Sequence, residues 1–530
     1  MRFHGVAAPT PRIDDAEEAV RLLNWFLYST SGYLDLFDLE RVRAELVAWI
    51  ASSQEGSNLQ SAIFYLVLAI GAQTYPNGLD LMADEYFNYG RHLGLGYAMA
   101  EANHATLQYL SLVSAYLMGQ SLMHAAFIQI GSAVRAALVL GLHRQKATTD
   151  DTYEARMCKR IWKTVRSQDL FLSSILGQPI TAKHHHETAR VADCSATADI
   201  CNILEDVLTK IYGGGARPDD VIESIISHHQ TCLGQFDDGL ENDGLGLSEY
   251  DEHHRPHIGV CHIKHGSYAN IQLLTMPFLL RKVLRRPYDA QPSINLCDIS
   301  ESSFSNEFMA FGCIDAAISL VGLFRKFLDA DQIPKRLPMV VYAMFYVALS
   351  LGLAVFGDLD SIFPLQENIQ TASELLAKLA KHDWLAKRYA IIIGQMQTAC
   401  RTYVRNRLKT ATGAHRARVQ QLFGTLELPK DNHRQDRACV VPQEVDKSQT
   451  LTPLSTVSQS NQPSMDSIEQ RRIDVNAPAD ESFSSHQIFG QGVGEELSTS
   501  ARGLLSSLAE GDLPYGAQLW DSIWFDEHFT

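Results

Sequence analysis

The chain has 530 residues, 46% hydrophobic and 20% charged, which supplies enough apolar side chain for a large buried core. Its formal net charge is −16 and its pI about 5.6. That balance argues against a surface given over mainly to a phosphate backbone, which would carry a basic patch and often a basic overall charge. The nine cysteines are scattered and odd in number, and no C-x-x-C occurs. This usage fits reduced thiols in a cytosolic or nuclear protein.

In chain order, Met1 to Gly5 contain no apolar run and do not read as a secretory signal. Residues 15 to 50 read as helices, carried by Leu22, Leu23, Phe26, Leu39, Val42 and Leu46. Residues 62 to 72 are apolar but too short to span a bilayer. Residues 82 to 120 give two more helices. Leu122, Ala126, Ile130, Ala133, Ala137 and Leu140 then recur at steps of four, four, three, four and three, which is helical spacing. Phe127, Val134 and Leu138 are apolar on another side, so this helix is expected to be buried rather than half-exposed. Gly141 fits a left-handed C-terminal position, with His143 and Arg144 at the carbonyl end, where cations are favoured.

Asp151 with Glu154 three residues later is a capping signal for the next helix. That helix carries Cys158, Ile161, Trp162, Val165, Leu172 and Leu176 and ends at Gly177-Gln178-Pro179. Residues 211 to 257 read as irregular, 261 to 286 as a basic-ended helix, and Cys313 to Leu323 as an amphipathic one. Leu337 to Gly357 is a run of 21 uncharged residues. Its length suits a membrane span, but Pro338, Tyr342, Tyr346, Ser350 and Gly352 favour a buried core helix. Residues 366 to 422 are helical and increasingly basic. A nuclear-import or nucleic-acid role and a solvated helical face are both readings of that charge, and its spread over many turns favours the second.

From about Leu428 the composition shifts, and residues 443 to 500 read as a disordered linker rich in Ser, Thr, Gln and Pro. After Arg502 no Lys or Arg occurs, while Glu510, Asp512, Asp521, Asp526 and Glu527 surround Leu519, Trp520, Ile523, Trp524 and Phe525. Acidic residues that keep aromatics in water suit a segment that folds in a partner's groove, the chemistry of an activation segment. A C-terminal helix docking on its own domain is the other reading.

The stretch from 131 to 179 resembles the middle homology region of fungal zinc-cluster transcription factors. The matching positions are Gly131, Arg135, Leu140, Gly141, Leu142, His143, Arg144, Arg160, Trp162, Asp169, Gly177 and Pro179. Lys163 stands where the family has a second aromatic, and Leu170 and Gln178 where it usually has Arg. Ala69-Ile70-Gly71-Ala72, Tyr86-Phe87 and Leu107-Gln108-Tyr109 also fit, and residues 268 to 279 resemble a second family segment, with Met276 in place of its Arg. The resemblance covers roughly residues 1 to 420. It implies an all-α regulatory domain over residues 1–425, a disordered linker over 426–503 and an acidic activation segment over 504–530. It further implies a nuclear transcription regulator that contacts the transcription machinery or coactivators, with homodimerisation among the family's properties. The binuclear zinc cluster needs six thiolates in two close triads, and Cys194 and Cys201 alone do not complete one. Zinc is therefore expected only in a DNA-reading module outside this chain, and promoter contact through that module or a partner. Within this chain no cofactor, no metal, no catalytic residue and no membrane contact are expected.

The alternative is a magnesium-dependent all-α isoprenoid or terpene synthase-like enzyme. Asp150-Asp151-Thr152-Tyr153-Glu154 and Asp219-Asp220-Val221-Ile222-Glu223 are both D-D-x-x-E, which could hold magnesium against a diphosphate. Helix capping is the favoured reading of both pairs. The second metal-binding pattern of such cyclases fails after Asn242-Asp243, where Gly246 and Tyr250 stand in place of Ser and Glu. Consecutive His184-His185-His186 cannot converge on one metal, since neighbours diverge. The cluster His253-His254-Arg255-Pro256-His257 reads as a solvated loop. No H-E-x-x-H, G-x-S-x-G or G-x-x-x-x-G-K-[ST] occurs.

Overall fold

The computed structural model describes residues 11–13, 15–52, 58–144, 152–183, 194–213, 219–248, 250, 251, 254–284, 306–330 and 332–424. Among them the chain is all-α, with fifteen α-helices and no pairing beyond an isolated bridge between Tyr250 and Pro256. The described residues up to Arg407 belong to one unit. Of a second unit, residues 408–494, the structure describes 408–424. The linker at 426–503, the acidic segment with Trp520, Ile523, Trp524 and Phe525, Asp150, Asp151, the His184 run and His253 lie outside the described residues.

The first half holds α1 (Ala16–Thr30), α2 (Leu39–Ala51), α3 (Leu59–Thr74), α4 (Asp80–Ala100), α5 (His104–Gly119), α6 (Met123–Val139) and α7 (Tyr153–Leu176). Five of these starts follow short polar side chains that accept from the first free amides, while α4 and α6 follow Leu79 and Leu122 with no such cap. Asp15 accepts from Glu17 N, Asp38 from Arg41 N, Asn58 from Ser61 N, Asn103 from Thr106 N and Thr152 from Ala155 N. The cap of α7 is thus Thr152, one residue after the expected Asp151; its hydroxyl reaches the third amide, as the spacing of that turn requires.

α3 and α5 are apolar all round, and such helices must be enclosed. Every residue of α3 except Gln60 is buried, between α1, α4 and α5. Gly71 makes this possible, because a Cβ there would lie 2.2 Å from the Leu22 carbonyl oxygen of α1. The expectation that α6 is buried all round is corrected. Ala126, Ile130, Ala133, Val134 and Ala137 face the core, but Ile128 is 66% and Val139 78% exposed. Among the described residues nothing covers its outer side, so the helix is amphipathic in placement although not in composition.

The middle region comprises α8 (Ala196–Asp206), which runs into a π turn at Val207–Ile211, α9 (Asp219–Gly234) and α10 (Phe236–Asn242). The reading of 211 to 257 as irregular is therefore corrected for α9 and α10. Only Ile222 and Ile225 are buried in α9, too few to leave a periodic signal. The last part holds α11 (Ile258–Leu284), α12 (Asn306–Asp329), α13 (Pro338–Phe356), α14 (Leu365–Leu379) and α15 (Trp384–Phe423). α12 and α13 are long and apolar enough to cross a membrane, and 67% of the apolar window of α13 is buried, against α11, α12 and α14.

Two large apolar cores result. One runs from Ile13 to Ala182 and the other from Ile258 to Cys400, with a smaller cluster of Ile203, Val207, Ile222 and Ile225 beside α11. α11 carries two buried histidines. His262 shares a hydrogen bond of 2.8 Å with the Ser31 carbonyl, and the His265 ring packs on Phe324. Burial lowers both, His262 to about 4 and His265 to about 3. Unfolded, each titrates near 6.5. Their contribution to stability is complete above pH 6.5 and drains as the pH falls towards the folded values, by about 1.4 kcal/mol per pH unit for each histidine. Urea unfolding at pH 7, 6 and 5 should show this loss, and His262→Gln with His265→Gln should flatten it. A native chain equally stable at pH 6.5 and 5 would contradict the assignment.

Candidate functional site

The central helix α7 carries four charged residues at steps of three: Arg160, Lys163, Arg166 and Asp169. Each step falls about 60° short of a full turn, so the row winds around the helix and reaches a different neighbour at each position. Arg160 Nε donates to Asp35 Oδ1 at 2.7 Å, and its Nη2 donates to the Phe37 carbonyl. Lys163 Nζ lies 2.8 Å from Asp243 Oδ1 and 3.3 Å from Asp35 Oδ2. Arg166 Nη2 lies 2.6 Å from Glu205 Oε2 of α8. Asp169 Oδ2 accepts from the amides of Thr181 and Ala182, both at 2.8 Å. Between the charges, Thr164 Oγ accepts from Asp35 N, and Gln168 Nε2 donates to the Ser111 carbonyl of α5. One helix therefore ties together the loop after α1, α5, α8, the turn after α10 and its own C-terminal extension.

The centre of the row is Lys163 between two carboxylates. Burial works to lower the Lys163 ammonium, but Asp243 and Asp35 outweigh it and raise its pKa. Burial works to raise the Asp243 carboxyl, but Lys163, the Ser195 and Thr197 hydroxyls and the Thr197 amide hold it below the usual range. Asp169 differs. Its burial dominates over the two amide bonds and raises the carboxyl. Among the described residues its Oδ1 has no hydrogen-bond partner.

A second charged joint lies where the two large cores meet. Lys335 is almost wholly buried, with Nζ 2.9 Å from Asp80 Oδ2 at the start of α4. Arg336 donates to Asp80 Oδ1, the Gly119 carbonyl and Gln120 Oε1, each at 3.2 Å. Burial pushes the Asp80 carboxyl up, but Lys335 and Arg336 outweigh it and hold it low. Beside them Ser121, at φ +59°, donates to Asp383, whose Oδ1 also accepts from Leu385 N and Ala386 N to cap α15. A small cleft lined by Thr30, Tyr33, Gln73, Thr74, His262 and Arg336 opens here, with room for about one water.

Several of the residues that carry the family resemblance fall at ends and joints, while Gly131 and Arg135 lie within α6. Gly141 has φ +74°, the expected left-handed position, and follows the α6 cap at Leu140. Leu142 is buried; His143 Nε2 accepts from Arg144 Nε in the short 3-10 turn that follows. Trp162 is half-buried against the first core. Gly177 ends α7 at φ +62°, where a side chain would be strained, and Pro179 is exposed beyond it. Arg160 and Asp169 are in the charged row, which does not include Gly141, Leu142, His143 or Arg144. Sequence reading missed Asp35, Glu205 and Asp243 as partners, because acid and base lie far apart in the chain. Asp243 stood instead in a failed metal pattern, and Lys163 as a departure from an aromatic. The charged row itself was visible as a three-residue repeat.

Asp219 and Asp220 sit exposed in the first turn of α9, where the helix dipole favours them. Among the described residues no three His, Cys, Asp or Glu are grouped to hold a metal ion, and Cys194 and Cys201 are free thiols. No protein-family model matches the chain, and no curated protein sequence matches it.

Removing one member of a buried ion pair strands the other charge. Asp243→Asn should cost about 3 kcal/mol in urea unfolding, and Lys163→Met alone a similar amount. In the Asp243→Asn background, Lys163→Met should cost little more, giving a strong coupling in a double-mutant cycle. Simple additivity would show that the pair is not joined in solution.

Proposed function

We propose that this chain is a transcription regulator that works as a helical scaffold in the nucleus, presenting its acidic C-terminal segment to the transcription machinery. What supports the reading is the agreement between resemblance and role within α7. Arg160, Asp169 and Gly177, three positions that carry the likeness to the zinc-cluster middle region, are among those that tie α7 to its neighbours and end it. A scaffold needs such joints more than it needs a reactive pocket. The second support is compositional, since Trp520, Ile523, Trp524 and Phe525 are set among acidic residues and followed by no cation. In this reading promoter contact belongs to a zinc-cluster module or partner outside the chain.

No particular observation favours the magnesium-dependent isoprenoid alternative, since the exposed Asp219 and Asp220 are accounted for by the start of α9.

Residues 500–530 fused to a heterologous DNA-binding module should activate a reporter, and Trp520→Ala with Trp524→Ala should reduce activation by about tenfold, the loss of two anchor side chains. A silent fusion would remove the activator reading. Turnover of a prenyl diphosphate with magnesium by the purified chain, abolished by Asp150→Asn or Asp219→Asn, would replace it with the enzyme.

A further inference from the structure

α15 contains no Asp or Glu from Trp384 to Phe423, in a chain whose net charge is −16. Its residues from Leu408 onward are all exposed. They include large apolar side chains: Leu408 is 57%, Val419 55%, Leu422 77% and Phe423 83% exposed. At 100° per residue, Leu408, Ala411, Val419 and Leu422 fall within about 80° of arc, with His415 among them. Lys409 and Arg416 flank this stripe on one side and Arg418 on the other. The pattern is a coiled-coil-like seam with cations at both flanking rows. Helices in proteins owe most of their stability to packing of an apolar face, and this stretch packs none of its own.

We infer that residues 408–423 form a docking surface for an amphipathic helix of another protein, one whose apolar stripe is flanked by acidic residues. The charge pattern selects this occupant. A second copy of the same helix, parallel or antiparallel, would set cation against cation along both flanks. A phosphate backbone would satisfy Lys409, Arg416 and Arg418 but would leave the leucines and Phe423 in water. An acidic amphipathic helix satisfies both at once. His415, the one polar member of the stripe, would fix the register, as a lone polar core position does in coiled coils. This surface is independent of whether the chain regulates transcription.

The test uses the full chain and two fluorescent designed helical peptides, each with leucine at its core positions, flanked in one by glutamate and in the other by lysine. The glutamate peptide should bind, and the lysine peptide should bind at least about tenfold more weakly. Leu408→Asn with Leu422→Asn, both at exposed positions and checked by circular dichroism, should abolish binding of the glutamate peptide. Arg416→Glu with Arg418→Glu should reverse the preference between the two. Equal affinity for both peptides would overturn the inference. So would tighter binding of a DNA duplex or of phosphatidylserine vesicles than of the glutamate peptide, or self-association that Leu422→Asn removes. Binding seen only after Trp520→Ser and Trp524→Ser would also overturn it, because the chain's own acidic end would then be the occupant.

Discussion

The helices around α7 are joined through one largely enclosed ammonium. Lys163 loses most of its water inside the middle of α7, and that loss is offset only if two carboxylates from distant parts of the chain arrive together. Asp35 comes from the loop after α1, and Asp243 from the turn after α10. Neither is placed by local structure alone. Asp35 is positioned by Thr164 and Arg160, both on α7, and Asp243 by Ser195 and Thr197 at the start of α8. A wrong arrangement of any of these elements leaves a charge stranded in a low dielectric. Apolar packing could tolerate several arrangements; this constraint selects among them.

The second joint, at Lys335, Asp80 and Arg336, follows the same logic with a different exposure. Asp80 keeps nearly half its surface in water, whereas Lys335 keeps almost none. The carboxylate is thus the accessible member, and the energy of this joint is more sensitive to salt than that of Lys163. Ser121 adds backbone strain at its positive φ, held by the hydroxyl's bond to Asp383. Because Asp383 also caps α15, the turn between α5 and α6 and the start of the last helix are fixed by a single carboxylate. Where the large cores meet, these directional bonds add to apolar contacts such as Tyr342, which packs against both, and Tyr28 of α1, which packs against the second.

Much of this was legible in the chain. The continuous apolar run from Leu337 identified α13 as an enclosed helix; α3 was legible only as an apolar stretch and α5 only as a helix, although a helix apolar all round has nowhere else to be. Gly141 and Gly177 marked ends, because a positive φ there leaves few alternatives. What failed had a physical reason in each case. α6 reads as apolar on every side, yet burial depends on whether a neighbour arrives, and among the described residues none covers Ile128 and Val139. α9 and α10 bury too few residues to mark a period. The partners of Lys163 were invisible because an acid contributes the same letter whether it faces water or an ammonium. The charged row of α7 could be read as a repeat, but not what each member would touch.

The exposed apolar residues of α6 and of the end of α15 look alike in number and differ in meaning. Ile128 and Val139 share the outer face of α6 with His124, Ser132 and Arg135, so each is a single apolar side chain in a polar surround. Surfaces carry many such residues without consequence. At the end of α15 the apolar residues share one face, interrupted by His415, and the cations Lys409, Arg416 and Arg418 lie at its edges. A grouped apolar face of this kind is a commoner mark of an interaction surface than scattered residues are. Its uniform flanks also mean that electrostatics, rather than shape, decides what can cover it.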